Sequence, residues 1–169
     1  MPAPPTPRSL CTQSHKTPIV VHWARLHDGT RVMEEMVDCV YALFPRANQR
    51  MRAVSIIGDV RARMRSAAEG RLPVGELDQF EPVRRHPDMW EHKWKLGKGR
   101  ELRLYHAELG GQPHVVLLLF HRKEVAPRNG KTVSELQNQV LDRAADRVSV
   151  TGSSPWGHTT TACADCVNP

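Results

Sequence analysis

The amino-acid sequence predicts an α+β fold in which helices pack on one face of a small, mainly antiparallel sheet. Three observations predict it. Three consecutive strand patterns lie between Trp90 and Phe120, two amphipathic helix patterns precede them, and a third helix pattern follows. A short run rich in β-branched residues at 18–24 adds a first strand, so the predicted order is β-α-α-β-β-β-α.

The first two of the three consecutive strands, 90–95 and 100–106, alternate between an apolar and a charged face. The segment 96–99, which contains two glycines, joins them and predicts a hairpin turn. The third strand, 114–120, is apolar on both faces, which is typical of a central strand covered on both sides. The two tryptophans of the first strand share the apolar parity, so we expect them to anchor the core rather than to stack on a ligand.

The helix patterns repeat apolar residues at a spacing of about 3.6. Thr30 is the expected N-cap of the first helix, and the second helix runs from about Ala47 to Ala68. Thr132 and Glu135 form a capping box at the start of the third. The arginines of the second helix are expected to form a solvated face, and the alternative is a contact with nucleic acid or a partner.

Length and composition are those of one globular domain. The chain has 169 residues, of which 40% are hydrophobic and 25% are charged. No apolar run approaches the roughly 20 residues that cross a bilayer, and the N-terminal residues lack the apolar segment of a secretory signal. We therefore expect a cytoplasmic protein without membrane contact. Its domain spans 18–148, between a flexible Pro-rich tail at 1–17 and a disordered Ser/Thr-rich tail at 149–169.

The four cysteines are too scattered to indicate a disulfide framework. Cys39 lies on an apolar helix face and is expected to be a small core residue. Cys163 and Cys166, with His158 nearby, supply at most three of the four ligands that a structural zinc ion requires. The composition around them favours a disordered tail over a metal or redox site, so the sequence predicts neither a metal nor a cofactor.

The net charge of +6 is concentrated in one part of the chain. Between Arg84 and Lys131 there are eleven basic and five acidic residues, so the whole excess falls in the three-strand region. Concentrated positive charge is typical of a surface that binds a polyanion. A merely solvated surface is the alternative, and charge alone leaves it open.

Three short motifs follow one another at the spacing of the predicted strands: Trp90-Glu91-His92-Lys93, Arg103-Leu104-Tyr105, and the run from Val116 to Lys123. In this order, and with a helix after them, they resemble the RelE/HigB superfamily of bacterial toxins, in particular its phage-derived HigB-like branch. The resemblance covers 18–148. Departures from the motifs of that branch are Lys93 in place of arginine, His92 in place of an apolar residue, and Arg122 in place of the first lysine of a pair.

The resemblance implies a RelE-like fold and a toxin of a type II toxin-antitoxin system. Such a toxin is an mRNA interferase, an endoribonuclease that often cuts messenger RNA on the ribosome. The resemblance also implies a partner, a small helix-turn-helix antitoxin encoded beside the toxin. Two alternatives are a non-catalytic nucleic-acid-binding protein of a phage or plasmid, and a degenerate, inactive toxin.

RNA cleavage without a metal uses the ribose 2′-OH as nucleophile, so the protein must supply a base, a group that stabilises the phosphorane, and an acid. Lys93 is the expected base, and Arg103 the expected stabiliser because its guanidinium fork matches phosphate. His121 is the expected acid by its intrinsic pKa, or else an exposed residue at a strand end. Tyr105 is expected to stack on a base or to orient the phosphate.

The remaining candidate residues are cationic. Arg122 and Lys123 are expected beside the catalytic set, at the end of the third strand. The residues expected to bind the RNA backbone are Lys95, Lys98, Arg100, Arg128 and Lys131.

Overall fold

A computed structural model describes residues 8–15, 19–26, 28–72, 79–108, 113–150 and 166. It confirms the α+β class. The strands are β1 (Val20–Trp23), β2 (Phe80–Pro82), β3 (Met89–Gly97), β4 (Arg100–Glu108) and β5 (His114–Arg122). The helices are α1 (Val32–Leu43), α2 (Arg50–Ala68) and α3 (Val133–Val150), with short 3-10 turns at Leu10–Thr12 and Ala47–Gln49.

The five strands form one sheet in the order β1-β5-β4-β3-β2. The β1 strand runs parallel to β5, and every other neighbouring pair is antiparallel. The prediction of a central third strand is confirmed, because β5 lies between β1 and β4 and is buried from Val115 to Phe120. Burial on both faces removes the need for alternation, which is why its sequence is continuously apolar.

The predicted hairpin between β3 and β4 is also confirmed. Gly97, Lys98 and Gly99 all have positive φ, at 77°, 53° and 68°. Glycine adopts such values without steric cost, so this tight connection requires the two glycines.

The sequence of 69–88 predicts a loop with one helical turn near 76–80, so it does not predict the short edge strand β2. Three residues ending in Pro82 carry no period of their own, and their pairing with β3 defines them. Phe80 stacks on Trp90 with the ring centroids 5.1 Å apart. Residues 76–78 lie outside the described part of the chain.

The start of α3 agrees with the sequence prediction, and the start of α1 does not. Thr132 and Glu135 form the predicted capping box: the Glu135 amide donates to the threonine hydroxyl at 3.2 Å, and the Thr132 amide donates to the carboxylate at 2.7 Å. At α1 the N-cap position falls on Arg31, without a side-chain cap, and not on the expected Thr30. The Thr30 amide instead donates to Asp28 at 2.8 Å, which closes the preceding turn.

Helices cover both faces of the sheet, which corrects the expectation that they cover one. The α2 helix packs on the apolar face, where the Arg63 guanidinium lies 4.4 Å from the centroid of the Trp94 ring. The α3 helix lies over the charged face. It is held there by Asp142, which accepts two hydrogen bonds from Arg85, and by Arg147, which donates to the carbonyl of Leu118.

The N-terminal segment 8–15 is packed against the domain, although the sequence placed it in a flexible tail. The buried Cys11 carbonyl accepts from the Leu72 amide at 3.0 Å, and the Ser9 hydroxyl donates to Glu108 on β4. Residues 1–7, 16–18 and most of 149–169 lie outside the part of the chain whose side chains are described. Cys166 is the exception in the C-terminal region: it is buried, and its thiol accepts from the Trp23 amide at 3.4 Å.

Within the described residues, no helix is both long and apolar enough to cross a bilayer.

Candidate functional site

Three of the predicted catalytic residues lie side by side across the charged face of the sheet. Lys93 on β3 is the direct partner of Arg103 on β4, and Arg103 is the direct partner of His121 on β5. Opposed residues of an antiparallel ladder have Cβ atoms about 5 Å apart. The register therefore brings a lysine, an arginine and a histidine into one row, which we call the central row.

Arg103 is the most constrained member of the central row. Its side chain is only 11% exposed, and its Nε and Nη2 lie 2.8 and 2.7 Å from the Glu101 carboxylate. Its Nη1 donates to Glu91, which is itself buried. Because a buried charge is tolerated only when it is paired, these two glutamates hold the guanidinium in place. The contacts use three of its five N–H groups and leave part of the fork for a ligand.

The flanking cations are paired as well. Lys93 Nζ lies 2.5 Å from Glu81 on β2 and 3.7 Å from Glu91, and Lys123 Nζ lies 3.5 Å from Glu101. Lys93, Arg103 and Lys123 thus stand against three glutamates. The face that the sequence indicates to be strongly positive is close to neutral at its centre, because Glu81 enters it from β2, outside the charge-rich stretch.

Glu91 connects the members of this network. Burial raises the pKa of its carboxyl, and the charges of Arg103 and Lys93 oppose that rise without cancelling it. The Tyr105 hydroxyl donates to Glu91 at 3.0 Å. Tyr105 is 1% exposed and its ring stacks on His121 with a centroid separation of 5.5 Å, so it offers no open face to a nucleobase.

His121 has a defined tautomer. Its Nδ1 lies 2.9 Å from the carbonyl oxygen of Arg122 and must donate to it, so Nε2 carries the lone pair. Burial lowers the pKa of His121 to about 4, with Arg103 and Arg143 adding to the effect. The imidazole is therefore neutral at pH 7 in this state and has no proton to give, which argues against the expected role of general acid.

Arg122 lies apart from the central row. It pairs with Leu102, so its side chain belongs to the opposite face of the sheet from Arg103, and it is exposed. The expectation that Arg122 stands beside the catalytic set is therefore corrected by the register.

The predicted RNA-binding residues divide into two groups. Lys95, Lys98 and Arg100 lie at the β3–β4 hairpin, where the Arg100 guanidinium is 5.6 Å from the centroid of the Phe44 ring. Arg128 and Lys131 face each other in the loop before α3, joined by backbone hydrogen bonds. Lys95, the ladder partner of Glu101, extends the charged face, whereas Arg100 contacts Phe44 at the end of α1, and the loop lies apart from both.

A cleft of about 500 Å³ separates the charged face from α3. Its lining residues are Glu81, Pro82, Val83, Arg84, Glu91, Arg103, Tyr105, Gln137 and Leu141. The sheet supplies Arg103 and the two carboxylates, and α3 supplies the amide of Gln137 and the apolar side chain of Leu141. The cleft therefore places a guanidinium beside a buried carboxylate.

Glu91 and Glu101 have the parity of the charged face, and the sequence predicts that they pair with neighbouring cations and hold them in place. The structure has these pairs, because both carboxylates contact Arg103. Sequence reasoning missed a buried cluster of Cys11, His106 and Glu108 on the other side of the sheet. Spacing gave no signal for it, because Cys11 lies 95 positions from His106.

Comparisons of the chain with models of protein families, with curated proteins and with solved structures found no match. The class that the structure defines is therefore an α+β protein with a five-stranded mixed sheet and, in its described part, three α-helices.

Proposed function

We propose that the protein has a RelE-like fold and is an endoribonuclease, the toxin of a type II toxin-antitoxin system, which cuts messenger RNA associated with the ribosome. The observation that carries the proposal is the central row of Lys93, Arg103 and His121, with Glu91 beside it in the cleft under α3. The sequence motifs that resemble the RelE/HigB superfamily supply these same residues.

In the proposed reaction the ribose 2′-OH attacks the adjacent phosphorus, and the bond from phosphorus to the 5′-oxygen breaks. Glu91 takes the proton of the 2′-OH, because burial raises its pKa and makes it a better base than an ordinary carboxylate. Arg103 stabilises the charge that develops on the phosphorane. Lys93, the base that the sequence predicts, is here the acid that gives a proton to the leaving 5′-oxygen, because its ammonium is paired with Glu81 and Glu91. The products are a 2′,3′-cyclic phosphate and a 5′-hydroxyl.

His121 is assigned a positioning role in this scheme. It is neutral, it stacks on Tyr105, and Tyr105 in turn donates to Glu91. Substitution His121→Ala is expected to lower kcat while the acid limb of the pH profile keeps its midpoint. A midpoint that moves on substitution would instead make His121 a titrating catalytic group.

The test uses labelled RNA, with and without ribosomes, in buffer without added divalent cations. Glu91→Gln and Arg103→Lys are each expected to reduce cleavage about a hundredfold or more, since one lost base or charge-stabilising contact has that size. Arg122→Lys is the matched control on the opposite face and should cleave like the wild type. Circular dichroism shows whether each variant is folded.

Two results would contradict the nuclease. One is cleavage that persists in Glu91→Gln and Arg103→Lys at the wild-type rate. The other is cleavage of RNA that carries a 2′-deoxy substitution at the cut position, because the proposed reaction has no other nucleophile.

The antitoxin is tested in cells. Expression of the protein is expected to arrest growth, and co-expression of a short helix-turn-helix protein from the neighbouring reading frame is expected to relieve the arrest. Relief by Arg103→Lys but not by Arg122→Lys would tie the arrest to the central row.

A non-catalytic nucleic-acid-binding protein is the second candidate, and one observation favours it. In this state Arg103 is already paired with two carboxylates, whereas Lys98 at the hairpin is exposed. Under this alternative, RNA binding weakens steeply with salt and no cleaved product forms. A degenerate toxin would also leave RNA intact, but it would still bind the antitoxin.

A further inference from the structure

A second polar cluster lies on the opposite face of the sheet from the proposed catalytic site. It joins the N-terminal segment to β4 through Cys11, His106 and Glu108. Cys11 and His106 are completely buried, and Glu108 is largely buried. A thiol, an imidazole and a carboxylate in a core need a physical reason, because each loses hydration there.

The three donor atoms are close enough to bind one ion. The sulfur of Cys11 lies 3.9 Å from Nε2 of His106, and this nitrogen lies 3.1 Å from an oxygen of Glu108. All three atoms fall within 4.8 Å of one another. For zinc at about 2.3 Å from sulfur and about 2.0 Å from nitrogen and oxygen, tetrahedral geometry sets the first two separations at about 3.6 and 3.3 Å.

Neighbouring groups already orient these donors as the outer contacts of a metal site do. Nδ1 of His106 lies 2.9 Å from Nε2 of His92, so it can donate there while Nε2 faces the ion. The Glu108 carboxylate accepts from the Leu10 amide at 2.9 Å and from the Ser9 hydroxyl. The donor atoms are therefore held in position before any ion arrives.

We propose that Cys11, His106 and Glu108 bind a divalent cation of the zinc type and thereby fasten the N-terminal segment to the sheet. The mixture of sulfur, nitrogen and oxygen donors suits zinc and not magnesium or calcium, which prefer oxygen alone. Three protein ligands leave the fourth tetrahedral position for water. Cys11 binds as a thiolate, so one proton leaves the thiol as the ion enters.

The experiment is a titration of the metal-free, full-length protein with Zn²⁺, followed by measurement of bound metal. One ion per chain is expected, together with an increase in Tm. Cys11→Ser and His106→Gln are each expected to weaken binding about a hundredfold or more. Two controls should bind like the wild type: Cys39→Ser, whose thiol lies on α1, and Cys163→Ser, which removes the C-x-x-C pair.

Cobalt(II) provides a second readout, which does not require Cys11→Ser or His106→Gln to fold. Added to Cys163→Ser protein, it should give a thiolate-to-cobalt charge-transfer band and the intense visible bands of four-coordinate cobalt. Absence of the thiolate band, absence of zinc binding at micromolar concentration, or loss of binding in Cys163→Ser but not in Cys11→Ser would each overturn the proposal. These outcomes do not depend on RNA cleavage.

Discussion

The two faces of β4 bury polar side chains in opposite ways. On the side of α3, Arg103 stays charged because Glu91 and Glu101 surround it with carboxylate oxygens. On the side of the N-terminal segment, Nε2 of His92 lies 2.9 Å from Nδ1 of His106 in the core. Burial holds the pKa of His92 well below its ordinary value. One face therefore neutralises its charges in pairs, and the other avoids charge on His92.

This difference separates the site proposed to bind an anion from the one proposed to bind a cation. On the charged face Arg103 lines the cleft under α3, which suits the proposed phosphate contact. The other face offers lone pairs of nitrogen, oxygen and sulfur in a dry environment, which suits a metal ion. The same strand supplies both sets because successive side chains point to opposite faces.

The largest expected effect on stability comes from a substitution in the charged face. Arg103→Met leaves the Glu91 carboxylate buried without its main partner, so we expect the free energy of unfolding to fall by about 3–5 kcal/mol. In the double variant Glu91→Gln/Arg103→Met much of this loss should return, since no unpaired charge remains. Urea unfolding measures both, and Arg122→Met is the control, expected within about 0.5 kcal/mol of wild type. Equal losses in the single and double variants would contradict the pairing.

The next effect tests the other face through the segment that carries Cys11. Gly70 has a φ of 68°, and an added Cβ would lie 1.7 Å from the carbonyl oxygen of Gln13. Gly70→Ala is therefore expected to lower the free energy of unfolding by about 1–3 kcal/mol and to release the segment. Faster alkylation of Cys11 by a thiol reagent would report that release.

Gly58 provides the matched control for this substitution. It lies inside α2, and a Cβ there would meet no heavy atom within 4 Å. Gly58→Ala should raise stability by about 0.5–1 kcal/mol, because alanine is the better helix former. Similar effects at the two glycines would contradict the close approach of segment 8–15.

A dependence of stability on pH sharpens the contrast between charged and neutral burial. The pKa of His121 falls from 6.5 to about 4 on folding, and the pKa of His92 falls as well. A depressed histidine pKa means that the unfolded chain binds more protons, so stability falls as the pH falls from about 6.5 to 4. Each histidine contributes a slope of up to about 1.4 kcal/mol per pH unit.

Glu91 acts in the opposite sense within this window, because burial raises its pKa and it takes up a proton earlier in the folded state. Glu91 therefore reduces the slope that the two histidines produce. His121→Gln should reduce the slope further, and urea unfolding at pH 7, 6 and 5 measures it. Equal stability at pH 5 and pH 7 in the wild type would contradict the neutral burial of both imidazoles.

Local patterns were sufficient for most of the fold. Alternation in β3 and β4, the two glycines of the hairpin and the capping box at Thr132 each depend on residues that are close in sequence, and the structure has all three features. The strand β2 and the position of α3 could not be predicted from local patterns. Both depend on contacts with distant segments, which local propensity does not encode.

For the candidate site, the sequence placed Lys93 and Arg103 on one charged face but failed with Arg122. The ladder register puts Arg122 opposite Leu102, and a shift of one residue decides which face a side chain occupies. Charge counting also missed Glu81, which the pairing of β2 with β3 brings to Lys93.

By itself, the sequence determined the three helices and the four longer strands, the two-faced character of β3 and β4, and the presence of a lysine and an arginine on the same face. Only the tertiary structure decided which carboxylates neutralise them, which face α3 covers, and that Cys11 meets His106. The physical reason is that side-chain periodicity fixes direction within an element, whereas ion pairs and ligand sets depend on how separate elements are placed against one another.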